Sequence, residues 1–167
     1  MKLFYFFKKK YLDFFLVFFL FILDRLSKEY IILLSEKDPN GVIFTSKYLN
    51  INLIWNKGIA FGLLSFSEEF FYNLLTMTIA AVIIMVYFLI LKNKGIKKFA
   101  LLLIMGGAVG NFYDRVIYFA VPDFIDLHIE NFHWFIFNLA DIFITTGIIS
   151  MILLELFVRN RNLNETD

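Results

Sequence analysis

Asn111, Asp114 and Arg115 stand close together in an otherwise apolar run, IMGGAVGNFYDRVIYF (104–119). Asp24 and Lys28 interrupt an earlier apolar run, and Asn138 and Asp141 a later one. An Asp or Arg at the centre of a membrane helix costs about 2.5–3.5 kcal/mol on insertion scales, so each such group needs a partner or a task. On helices, Asp24 and Lys28 share a face at i,i+4 and can pair. Asn111, Asp114 and Arg115 share another, and Asn138 and Asp141 a third.

The chemistry open to these groups is narrow. The chain has no Cys, which removes thiol nucleophiles, disulfides and thiolate metal sites. Ser27 and Lys28 are adjacent and so point to different helical faces, which argues against a Ser–Lys dyad. His128 and His133 lie in a loop without an HExxH pattern; packing or solvent contact is their expected role, and no metal or cofactor is expected. Carboxylates remain. Two Asp side chains sharing one water cannot both ionise cheaply, so they share a proton, one serving as base and the other as acid. Spacing alone leaves Asp114 open as the partner of Asp141.

The elements that must carry these groups are membrane helices. The sequence is 60% hydrophobic and 20% aromatic, against about 45–50% apolar in soluble domains. Four apolar stretches, about 11–34, 67–91, 99–119 and 134–158, each approach the ~20 residues that cross a bilayer core. The expected fold is an all-α integral membrane protein, a single domain over 1–167, with outer segments at 35–66 and 120–133 and an inner loop at 92–98. Lys2, Lys8, Lys9 and Lys10, the loop residues Lys92, Lys94, Lys97 and Lys98, and Arg159 and Arg161 put both termini and that loop in the cytoplasm. The segment 121–133 has no Lys or Arg, and Trp55 and Trp134 fall near the outer interface. In LNINLIWN (49–56) Ile51, Leu53 and Trp55 alternate with Asn, which predicts a short strand in a small extracytoplasmic β element, with a turn at Asn56-Lys57-Gly58.

Depth then brings the polar groups together. At ~1.5 Å per residue, Asp24, Asp114 and Asp141 all fall roughly 5–15 Å below the outer surface. The second helix is the control, with no Asp, Glu, Lys or Arg from Phe70 to Leu91. Gly106, Gly107 and Gly110, with Ala108, allow close helix packing at that level.

The motifs DRLSK (24–28), NKGIAFG (56–62), GGAVGNFYDR (106–115), VPDFID (121–126) and FNLAD (137–141), in that order, closely resemble signal peptidase II, the bacterial inner-membrane aspartic peptidase family. The resemblance implies a multi-pass inner-membrane enzyme with its site on the extracytoplasmic side. Its substrates would be prolipoproteins bearing a diacylglyceryl-Cys, cut just before that Cys; its partners would be those substrates and membrane lipid, with no nucleic acid, and the chain would be monomeric. The resemblance implies Asp123 and Asp141 as the catalytic pair, with 120–126 dipping back toward the bundle. Asn111, Arg115 and Asn138 would line the site, with Asp24 and Lys28 from the first helix, Asp114 as an ionised organiser and Asn56 from the outer β element; Phe61 would clamp substrate. Pro122 stands where an aliphatic residue is expected and favours an extended approach. Asp126 and Glu130 are expected to be solvated loop charges. A small carrier or proton-linked channel is the alternative, but a transport path needs polar groups along its length. The inner halves of these spans offer only Asp13 and Glu155.

Overall fold

The computed structural model describes the backbone of residues 2–37, 42–58 and 68–164, and the side chains of 11–37, 42–58 and 69–157. Phe61 and the side chains of Lys2, Lys8, Lys9, Lys10, Arg159 and Arg161 lie outside the described residues. Four helices are present among them: α1 (Lys2–Ser35), α2 (Glu68–Lys92), α3 (Gly95–Tyr118) and α4 (Leu139–Asn164). Strands β1 (Val42–Thr45) and β2 (Leu49–Asn56) follow α1; β3 (Val121–Ile129) and β4 (Phe132–Phe137) join α3 to α4. The strands form one antiparallel sheet in the order β1-β2-β3-β4.

Helices α2, α3 and α4 are long and apolar enough to cross a membrane, over Glu69–Lys92, Gly95–Tyr118 and Leu139–Phe157. Helix α1 is as long but more charged. Helix α3 is the hub, touching α1, α2 and α4, because its small residues admit the neighbours. A Cβ at Gly106 would meet Leu20, one at Gly107 the backbone carbonyl of Ala140, and one at Gly110 the carboxylate of Asp24. Away from the sheet, Val86, Ile90, Leu101, Leu102 and Met105 form the apolar core between α2 and α3, with Leu16, Val17 and Met151 against it.

The sheet is larger than its sequence suggests. Segment 121–133 is not a loop, and Trp134 does not begin the last helix: β3 and β4 make a hairpin, and α4 starts only at Leu139. FHWFIF (132–137) is apolar and runs straight into the helix. Hydropathy cannot separate the two, whereas the aromatic and β-branched content favours a strand. The turn into β3 is made at Phe119, left-handed at φ 55°, which ends α3. Pro122 sits at the second position of β3, outside the stretch that pairs with β4, so its missing N–H breaks no bond on that side.

Candidate active site

Two polar assemblies meet where α1, α3 and α4 approach the sheet. The first is ionic. Lys28 is fully buried, and its Nζ donates to Asp24 Oδ2 (2.8 Å), Asn111 Oδ1 (2.8 Å) and Asp114 Oδ2 (2.7 Å). All three ammonium protons are thereby used. Arg25 pairs with the other oxygen of Asp114 at 2.5 Å, its guanidinium lying over the rings of Tyr113 and Tyr118. Two anions and two cations balance. Arg25 was not singled out from sequence; the available signal was a second cation in the same apolar run, three residues before Lys28.

The second assembly holds its carboxylates with amides. Asp123 Oδ1 accepts from Asn138 Nδ2 (2.6 Å) and Oδ2 from Asn56 Nδ2 (2.8 Å). Asp141 Oδ1 accepts from Asn111 Nδ2 (2.7 Å) and Oδ2 from the Asn138 backbone N–H (3.1 Å). Asn138 thus touches both carboxylates. Each amide is aimed by its own oxygen. Asn56 Oδ1 takes the Gly58 N–H (2.7 Å) in an Asx turn, which the positive φ of Gly58 permits. Asn111 Oδ1 is held by Lys28, and Asn138 Oδ1 by the Asp141 N–H (3.2 Å). With the oxygens committed, the NH₂ groups must face the carboxylates.

Local helix chemistry explains Asn138 and Asp141. Asn138 is the N-cap of α4 and Asp141 its N3 residue, and they exchange bonds as a capping box. The next free donor of that turn, Ala140 N–H, bonds to Asp24 Oδ1 (3.0 Å), tying the start of α4 to α1. The helix dipole also favours negative charge at this end.

Burial pushes the Asp123 carboxyl above its usual range, opposed by the bonds from Asn56 and Asn138; the nearby Asp141 charge adds to the rise and Lys28 opposes it. Asp123 is 3% exposed and Asp141 half-buried. A cavity of about 550 Å³ opens beside Asp141, walled by Trp134, Phe135, Phe137 and Ile142.

Of the residues expected at the site, Asn56, Asn111, Asp123, Asn138 and Asp141 come together directly, and Asp24 and Lys28 support them from behind. Asp114 belongs to the ionic assembly, taken up by Lys28 and Arg25. Arg115 makes no hydrogen bond to either carboxylate among the described residues. Its guanidinium donates to the Asn111 carbonyl (3.1 Å), and Tyr72 Oη donates to the Arg115 carbonyl (2.6 Å) near the end of α3. Asp126 is not a solvated loop charge: it is 2% exposed and bonded to His133 (2.9 Å), because the hairpin folds β4 over it. Glu130 is exposed in the hairpin turn.

A helical bundle capped by a sheet, with two neighbouring carboxylates held, among the described residues, by neutral donors, fits a class: a membrane hydrolase of the acid–base type. The signal peptidase (SPase) II family model matches residues 16–157. A lipoprotein signal peptidase of Pelagibacter ubique is 51% identical over 158 residues, 95% of each chain. One of Anaplasma phagocytophilum is 43% identical over 141 residues, 83% of this chain and 88% of that one. Two solved structures, both described as a bacterial membrane enzyme determined by the in meso method, superpose on it. One gives a TM-score of 0.67 at 33% identity, covering 86% of this chain and 87% of that one. The other gives 0.70 at 30% identity, covering 86% and 92%. The chain belongs to the signal peptidase II family.

Proposed function

We propose that Asp123 and Asp141 are the acid and base with which this protein cuts prolipoproteins just before a diacylglyceryl-Cys. As a member of its family it is an aspartic-type protease that removes signal peptides from prolipoproteins. The observation that carries the residue assignment is the convergence of two carboxylates on Asn138, Asp123 accepting from its side-chain Nδ2 and Asp141 from its backbone N–H, with no cation bonded to either among the described residues. Either one can therefore change protonation without breaking an ion pair.

Asp123, favoured by burial to keep its proton, serves as the acid, and Asp141, in the first turn of α4, as the base. Water attacks the scissile carbonyl carbon, its proton passing to Asp141 while Asp123 protonates the carbonyl oxygen. Collapse of the tetrahedral adduct breaks the C–N bond as Asp141 returns its proton to the leaving nitrogen and one hydroxyl of the adduct gives its proton back to Asp123, re-forming the carbonyl and resetting both groups. Asn56, Asn111 and Asn138 fix the two carboxyl groups, Lys28 fixes Asn111, and Asp24 and Asp114 hold Lys28. The apolar cavity beside Asp141 suits acyl-chain carbons of the diacylglyceryl-Cys.

Helix α1 serves as a fourth span. Its outward side chains, Phe14, Phe15, Phe18, Leu26 and Leu33 among them, are apolar, while Asp24 and Lys28 turn inward and pair. With the loop 92–98 in the cytoplasm, both termini lie there as well and the sheet and its site face the extracytoplasmic side of the inner membrane. A monomer suffices, since all the named groups come from one chain. The test uses purified protein with a diacylglyceryl-modified prolipoprotein and its unlipidated twin. The lipidated form alone should be cut; equal cleavage of both refutes lipid recognition, and full activity of Asp141→Asn refutes the mechanism.

A further inference from the structure

On the other side of β3 from Asp123, a second set of side chains converges. The pleat sends Asp126 and His128 to the face opposite Asp123, and His133 of β4 is the cross-strand partner of His128. The two imidazoles stack with centroids 5.2 Å apart and planes 21° apart. His133 Nδ1 lies 2.9 Å from both oxygens of Asp126, and one ligand atom from each of the three residues falls within 4.8 Å of the others. His128 Nδ1 is buried without a hydrogen-bond partner among the described residues. A buried, unpartnered ring nitrogen is costly and needs an explanation.

We propose that Asp126, His128 and His133 bind one divalent transition-metal ion of the zinc class, which pins the β3–β4 hairpin. Two imidazoles and a carboxylate are a donor set such ions favour, with remaining positions open to water. The dimensions fit: two donors each about 2.0–2.1 Å from one ion stand roughly 3–3.4 Å apart. His133 and Asp126 are already near that spacing, and His128 needs a side-chain movement on the order of 1 Å to join them. Asn50 Nδ2, at 3.3 Å from Asp126 Oδ2, orients the carboxylate from β2. The ion is structural: it replaces the His133–Asp126 hydrogen bond with two metal bonds, satisfies His128, and ties β3 to β4. No HExxH helix is needed, because the ladder supplies the spacing that a helix would otherwise provide.

This inference is independent of the peptidase reading, and its test does not measure cleavage. Untagged, chelator-stripped protein in detergent is titrated with Co²⁺ and then Zn²⁺. One equivalent of Co²⁺ should bind with visible d–d absorption, Zn²⁺ should displace it, and the ion should raise Tm. His133→Gln, at a half-exposed side chain, should weaken binding by about 10–100-fold or more, and His128→Gln likewise, with helicity by circular dichroism checking that each variant is folded. Asp141→Asn should bind the ion as wild type does. Uptake of less than one equivalent by wild type, or wild-type affinity in the His128→Gln/His133→Gln double variant, overturns the proposal.

Discussion

The two polar assemblies use the same residue types at nearly the same level and do opposite things with them. In the ionic one, Asp24 and Asp114 face Lys28 and Arg25, so their charges are fixed by cations that cannot leave. In the other, Asp123 and Asp141 face Asn56, Asn111 and Asn138, whose donors orient a carboxyl group without dictating its proton count. The difference teaches how a membrane protein holds four buried or half-buried Asp residues yet leaves two of them without an ion-pair partner among the described residues. Lys28 links the assemblies through Asn111, transmitting position across a neutral amide.

The most severe way to break the contrast is to remove a reacting proton site. Asp141→Asn or Asp123→Asn should lower cleavage by about 10²–10⁴-fold or more while the protein still inserts and keeps its helicity by circular dichroism. Lys28→Met attacks the ionic side instead. It leaves Asp24 and Asp114 short of their shared cation and should cost about 3–5 kcal/mol in a detergent unfolding series, with lost activity following lost fold. If Lys28→Met were inactive yet fully stable, the division between the assemblies would be wrong.

Gly107→Ala drives a Cβ into the Ala140 carbonyl and Ile144, prying α4 from α3; a loss of about 1–3 kcal/mol is expected in the same series. Asn56→Ala is the mildest and the most discriminating. It should slow cleavage only severalfold, about 1 kcal/mol of barrier. Asn56 stabilises the ionised form of Asp123, so without it the proton is held to higher pH. The alkaline limb of the pH–rate profile should therefore move upward, and a downward move would remove Asp123 from the role of acid. The same sign governs stability. The folded protein holds the Asp123 proton more tightly than the unfolded chain, so this group's contribution declines as pH rises from 3.8, its value when unperturbed, through the raised folded value.

Much of this was legible in the residues. Ordered motifs identified the family and its protease activity, and helical spacing paired Asp24 with Lys28. The alternation in LNINLIWN marked β2, and the small residues of α3 marked its packing face. The hairpin was hidden because FHWFIF is as apolar as the helix it precedes, and only pairing with β3 reveals it as a strand. With the hairpin went the burial of Asp126, which depends on where β4 returns. Arg25 was overlooked because its partner, Asp114, is remote in sequence. The locking of the Asn111 oxygen was out of reach for the same reason, its partner Lys28 being remote in sequence, whereas that of Asn56 and Asn138 depends on local turn and cap geometry.

The bond from Ala140 N–H to Asp24 joins residues 116 positions apart. Asp24 is made early on the ribosome; Asn138, Ala140 and Asp141 come near the end of synthesis. The carboxyl pair and the cap that holds it form together, when the last helix docks. A half-translated chain therefore carries Asp24, Lys28 and Asn56 but neither Asp123 nor Asp141. The arrangement that brings Asp123 and Asp141 together is complete only once the last helix has docked against the first.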